Sequence, residues 1–246
     1  MFKRAYVLCA VLLLSTLLAG CGGGGSSSST PAAVATADAT GVWEGTITQN
    51  GVGTFSVTGL ITGGQMRFLS ADGNAIYEGT VSVSGNTFTA TTSNYAIDGG
   101  IFSTSTLTGS VVTANSISGT FTSSDGGSGS FSLTYDPITT RGSSLATISA
   151  NWFVTDGSGY SMSLTINSAG TLSGSDTDHC VYTGQVNIID PAVNIYGLSL
   201  TASSCGLYNG AYSGYAVVAD DTSTNDALVF TVSNANVVLL GVLDRT

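Results

Sequence analysis

Positive charge is nearly missing from this chain. Its 246 residues hold five Lys and Arg against 15 Asp and Glu, with one histidine, two tryptophans and four cysteines. Lys3 and Arg4 sit at the start, which leaves Arg67, Arg141 and Arg245 for everything that follows. Beyond residue 20 the acids outnumber the bases by 12. A polypeptide this acidic is repelled by phosphate backbones and anionic headgroups, which excludes nucleic acid as a partner and membrane binding through a basic patch. Histidine is equally scarce. A Ser-His-Asp site built on His179 needs Asp176 or Asp178 to orient the ring and a serine delivered from elsewhere. Gly157-Ser158-Gly159 falls in a hairpin rather than on the strand-to-helix turn of a nucleophile elbow. Helical periodicity is also absent over any three turns, and only Ser143–Ile148 has room for a brief helical turn.

What is present begins with an address. Lys3 and Arg4 precede an apolar run, Ala5–Leu18, of about 14 residues, the size of a signal h-region and too short to span a bilayer as a helix. The run ends at Leu18-Ala19-Gly20-Cys21 and passes straight into Gly22–Ser29, a stretch of glycine and serine. Leu18-Ala19-Gly20-Cys21 resembles a bacterial lipobox. The resemblance implies a signal peptide over 1–20, cleavage before Cys21 and acylation of Cys21 with chains such as palmitate. Gly22, rather than Asp, after the cysteine implies the outer membrane, with the periplasmic or surface face left open. Residues 21–40 then read as a lipidated flexible tether, with an r.m.s. span of about 25 Å.

Cysteine use fits that compartment. Cys9 leaves with the signal and Cys21 takes the lipid, so Cys180 and Cys205 remain as an even pair in an oxidising space and are expected to form a disulfide. A metal site using His179, Cys180, Asp176 and Asp178 is the competing reading. It is disfavoured because neighbouring side chains on a strand point to opposite faces. No metal and no other cofactor is expected.

From Thr40 onward the pattern predicts an all-β chain. Short runs alternate apolar residues with Thr or Ser, and turn signals such as Gly63-Gly64, Gly85-Asn86 and Asn209-Gly210 recur about every 8 to 12 residues. A motif repeats within the strands: Trp43-Glu44-Gly45-Thr46-Ile47, Tyr77-Glu78-Gly79-Thr80-Val81, Leu107-Thr108-Gly109-Ser110-Val111 and Ile117-Ser118-Gly119-Thr120-Phe121. With a period of two, the apolar ends and the glycine share one face and the polar residues take the other. Glycine at that point lets a strand bend, which a sheet curling into a small barrel requires. Outward positions rich in Thr, Ser and Asn suit water, whereas a transmembrane barrel shows an outward apolar band.

The expected architecture is two tandem, small, antiparallel up-and-down β-barrels of about eight strands each. The first covers 41–136 and the second 151–246, with 137–150 as a linker containing the short helical turn. One larger sandwich is the alternative, but Trp43 and Trp152, the only tryptophans, each open one half. Gly41-Val42-Trp43 resembles the lipocalin or calycin pattern, in which Gly-x-Trp opens the first strand of an eight-stranded barrel. Ala150-Asn151-Trp152 departs from it. The second half, with Cys180-Val181-Tyr182-Thr183-Gly184 followed by Cys205, also resembles a recurrent type of proteobacterial lipoprotein barrel. These likenesses imply fold rather than activity.

Among candidate sites, Glu44 and Glu78 occupy equivalent motif positions and read as a solvated outward pair rather than a glycosidase dyad. Asp220, Asp221 and Asp226, like Asp176 and Asp178, lack EF-hand spacing and read as turn acids rather than a calcium site. Six of ten tyrosines fall in the second half: Tyr160, Tyr182, Tyr196, Tyr208, Tyr212 and Tyr215. If Tyr212, Gly214, Ala216 and Val218 face inward, Tyr215 faces out and Tyr208 lies in the preceding loop. Candidate ligand contacts are therefore Trp43, Tyr77, Tyr208 and Tyr215. The favoured reading is a lipid-anchored, non-catalytic binding or structural module of the envelope, partnered by the membrane and an envelope protein. The runner-up is a carrier of a small apolar ligand in the first barrel, hollowed at Gly45, Gly79, Gly109 and Gly119. A hydrolase using His179 is third. A cavity in the first barrel separates the first two readings.

Overall fold

Sixteen strands close into two barrels in the structure, a computed structural model that describes residues 36–70, 74–96, 100–156, 159–235 and 237–246. The expected signal peptide, Cys21 and most of the tether lie outside the described residues. The first barrel comprises β1 (Gly41–Gln49), β2 (Gly53–Thr62), β3 (Gln65–Ser70), β4 (Ala75–Ser84), β5 (Thr87–Ala96), β6 (Ile101–Val112), β7 (Ser116–Ser123) and β8 (Ser128–Asp136). The second comprises β9 (Ala150–Thr155), β10 (Ser161–Ile166), β11 (Thr171–Asp176), β12 (Val181–Ile188), β13 (Tyr196–Ser203), β14 (Gly210–Ala219), β15 (Ala227–Ser233) and β16 (Val238–Arg245). Within each barrel every strand pairs antiparallel with its sequence neighbour, and β1 with β8 and β9 with β16 close the two rings.

The repeated glycines make that closure possible. A Cβ at Gly79 would overlap the backbone carbonyl of Thr91 on β5, and Gly109 and Gly119 face each other so closely that neither has room for one. Strands coiled this tightly bring a neighbour's backbone into the space a side chain would occupy. The expectation that these glycines hollow the first barrel is therefore overturned: neighbouring strands fill the space.

Each barrel is sealed at one end by its tryptophan. Trp43 and Trp152 are fully buried, and each indole Nε1 donates to the carbonyl four residues earlier, Ala39 at 2.9 Å and Ile148 at 3.0 Å. Trp43 also meets the Tyr135 ring edge-on. Around them pack Ile61, Phe88, Val111 and Ile117 in the first barrel, and Leu164, Leu172, Val186 and Leu243 in the second.

Between the barrels runs a 3-10 turn, Pro137–Arg141, and a single helical turn, Leu145–Ile148. Ser144 caps the latter by accepting from the Thr147 N–H, and Ile148 plugs the second barrel. Fully buried Asn194 ties the segment down. Its backbone N–H donates to the Thr139 carbonyl, and its side-chain amide donates to the Val218 carbonyl at 2.7 Å.

The barrels pack side by side within one compact unit. Val42 and Leu60 meet Ile195 and Val217, while Ile76 and Tyr95 meet Val238. Between these patches Arg67 on β3 pairs with Glu78, its register partner on β4, at 2.6 Å. Arg67 also donates to the Ser233 hydroxyl and the Ser213 carbonyl of the second barrel, and its guanidinium lies 5.6 Å from the Tyr215 ring centroid. Ser233 in turn donates to Glu78 at 2.7 Å. Burial pulls the Arg67 pKa down, against the pull of the Glu78 charge. Glu78 is thus no solvated carboxylate. Alternation puts it on the outside of its barrel, and that outside is covered by the other barrel. Glu44 stays exposed.

Candidate functional site

At the end away from Trp43, the first barrel is hollow. A cavity of about 220 Å³ lies between two unlike walls. Ile47, Phe55, Val57, Met66, Phe68 and Phe131, from β1, β2, β3 and β8, supply an apolar wall. Thr92 and Asn94 on β5, Ser103 and Ser105 on β6 and Ser123 on β7 supply a polar one, flanked on β6 and β7 by Leu107 and Phe121. Exposed Asn74 and Asp125 and half-buried Gln49 stand at the rim, and buried Ser70 lies further in. Among the described residues no lysine or arginine lines the cavity.

The polar wall is a connected hydrogen-bond chain. Thr92 Oγ1 donates to Asn94 Oδ1 at 2.8 Å, and Asn94 Nδ2 donates to Ser103 Oγ at 2.8 Å and to Ser105 Oγ at 2.7 Å. Ser105 and Ser123 hydroxyls meet at 2.5 Å. Asn94 is 2% exposed, so its amide is held by these partners rather than by bulk water. A β-bulge between Asn94 and Tyr95 shifts the register with β6. Asn94 faces the interior while Tyr95 packs outward against Ile76 and Val238.

The matching end of the second barrel is stoppered. Tyr182 donates to Asp176 Oδ2 at 2.7 Å, Tyr160 donates to the same oxygen at 3.4 Å, and the Cys180 N–H donates to Asp176 Oδ1. Burial first, and then the Asp176 carboxylate, push both phenol pKa values up, so both phenols remain donors. The Cys180–Cys205 disulfide, with Cα atoms 4.6 Å apart, lies beside this cluster. Tyr212 closes over it by donating to the Tyr208 carbonyl.

The structure scatters the residues singled out from sequence. Tyr77 lines the cavity. Trp43 is sealed at the opposite end, committed to Ala39. Tyr215 is half-buried between the barrels beneath Arg67, and Tyr208 stands exposed on the 3-10 turn Gly206–Tyr208 of the second barrel. Cys21 lies outside the described residues. His179 is exposed, with φ 69°, in the turn between β11 and β12. Among the acids weighed for calcium, Asp220 binds Arg141 through both oxygens, and Asp226 accepts the N–H groups of Asp221, Thr222 and Ser223. Among the described residues no three His, Cys, Asp or Glu side chains gather as a metal would need.

Thr92, Asn94, Ser103, Ser105 and Ser123 were not anticipated. Their signal is the inward row of each strand, which changes from Phe88 and Ala90 to Thr92 and Asn94 along β5, and from Leu107 to Ser105 and Ser103 along β6.

No family model matches the chain, and no curated protein matches it. Among solved structures it is similar to the isotype 1 transferrin binding protein B from serogroup B Neisseria meningitidis. That similarity has a TM-score of 0.31 and 9% sequence identity over 80% of this chain and 60% of that one. The chain thus spans about three fifths of that protein's length.

Proposed function

We propose that this chain is a non-catalytic binding module of the bacterial envelope, held to the outer membrane by acyl chains on Cys21, and that its site is the interior of the first barrel. One observation carries the reading. Two barrels of the same strand count and closure differ at one end: in the second a tyrosine–aspartate cluster fills the interior, and in the first a cavity of about 220 Å³ is left. Close packing is the rule in protein interiors, so a hollow with one apolar and one hydrogen-bonding wall is the usual form of a small-molecule site. Extraction of the gently purified protein followed by mass spectrometry tests this. A small molecule is expected from the native protein and not from Ala75→Phe, which blocks the cavity. Identical extracts from both proteins would refute the assignment. Labelling with an alkyne-tagged palmitate tests the anchor, and Cys21→Ser is expected to abolish incorporation.

A second reading has its own support. Leu207 is 96% exposed and Tyr208 51% exposed, on a turn tethered by Cys205. An apolar tip on a fixed loop is the form of a protein contact. If Leu207→Ser abolishes association with an envelope protein while cavity binding persists, the surface carries that role.

A further inference from the structure

Resting on the reading of the first barrel's interior as the site, we infer that its ligand is a molecule without negative charge, about one aromatic ring in size, bearing a hydrogen-bond acceptor that the serine hydroxyls address.

Counting protons along the polar wall gives the acceptor. Thr92 spends its hydroxyl hydrogen on Asn94 Oδ1. Asn94 spends both amide hydrogens on the oxygens of Ser103 and Ser105. Ser103 therefore accepts, and its own hydrogen is free. Ser105 and Ser123 share one hydrogen between their oxygens, which frees the other. Two hydroxyl donors are left over, beside a space that nothing else in the wall fills. A ligand that offers a carbonyl, ether or hydroxyl oxygen satisfies them. One that offers only hydrogens on carbon displaces water and replaces none of its bonds.

Charge follows from the lining. A carboxylate or phosphate would leave water for a site with no lysine or arginine among its described lining residues, with Asp125 at the rim and an acidic chain around it. Burial of an unpaired charge is strongly disfavoured. Size follows from volume: an engineered apolar cavity of about 150 Å³ accepts benzene. The 220 Å³ here takes a ring and a short polar substituent. Phe55, Phe68 and Phe131 supply ring faces and edges opposite the serines.

The test is a titration of the full-length protein with three matched probes, acetophenone, ethylbenzene and benzoate, read by saturation-transfer NMR and calorimetry. Acetophenone is expected to bind, ethylbenzene about tenfold more weakly or worse, and benzoate not at all. Replacing Ser103, Ser105 and Ser123 together by alanine removes every hydroxyl that could be left over and is expected to bring acetophenone down to ethylbenzene, while Ser103→Thr, which keeps a hydroxyl, retains the preference. Equal binding of acetophenone and ethylbenzene, or tightest binding of benzoate, overturns the ligand class and leaves the cavity reading standing. Binding of none of the three overturns both. So does binding that Ala75→Phe leaves unchanged, because the probes would then be bound elsewhere.

Discussion

Replacing Arg67 by methionine should loosen the two barrels from one another. The guanidinium side chain is 8% exposed and its partner Glu78 17%, so the pair exists in a largely dry seam. Arg67 Nε and Nη1 and Glu78 Oε2 are buried without hydrogen-bond partners, so the pair carries an uncompensated desolvation cost. Removing one member of a buried pair typically costs about 3 to 5 kcal/mol, because the remaining charge is stranded. Glu78 would keep the Ser233 hydroxyl and has some access to water, which puts Arg67→Met at about 2 to 4 kcal/mol. The double variant Arg67→Met with Glu78→Met removes every stranded atom of the pair and is expected within about 1 kcal/mol of the parent, or above it. Urea unfolding of the parent, both single variants and the double variant gives the coupling directly. Trp43 and Trp152 report one barrel each. Single substitutions that cost under about 0.5 kcal/mol, or costs that simply add, would refute the account.

Gly79→Ala should destabilise by about 1 to 3 kcal/mol, since its Cβ meets a carbonyl on β5 that cannot swing away. Gly197→Ala, whose Cβ meets only the flexible Ile189 side chain at 3.3 Å, should cost far less; equal thermal shifts would contradict the close-approach argument. Reducing Cys180–Cys205, 25 residues apart, should cost about 3 kcal/mol on chain-entropy grounds, seen as a lower urea midpoint in dithiothreitol. Asp226 is held below the usual carboxylate range, chiefly by the Asp221 N–H, so its folded pKa lies under its unfolded one. Its contribution is then fully present above about pH 4 and lost as pH falls through the folded value. The stability gap between parent and Asp226→Asn should be flat at neutral pH and shrink in acid; a gap that widens in acid would reverse the sign.

How much of this was legible varies by element, for physical reasons. The barrels were readable because two signals agree: strict alternation sets which face is buried, and glycine recurs where coiled strands pinch, as at Gly79 and Gly109. The same glycines were misread as hollows. A missing side chain looks like space in a sequence, but a neighbouring backbone takes it up. Glu78 was correctly placed on the outward face, but alternation cannot say that another barrel covers that face. The polar wall was hidden differently. Ser and Thr populate the whole water-facing surface, so Ser103 and Ser105 are distinguished only by register, together with the bulge at Asn94. Tyr208 and Tyr212 were correctly placed in a loop and on an inward row. The acceptor that Tyr160 and Tyr182 share, Asp176, becomes visible only once β10, β11 and β12 are side by side.

The near absence of basic residues has a consequence for proteolysis. Arg67 is locked in the seam, and Arg245 ends β16, so that cleavage after it leaves the two barrels joined. Arg141, with over a third of its side chain in solvent, is left as the one accessible tryptic target that divides the described chain, and it falls in the segment joining the barrels. A nicked molecule should migrate as one species under native conditions and as two in detergent, because covalent continuity at that point is dispensable to the pairing of the halves.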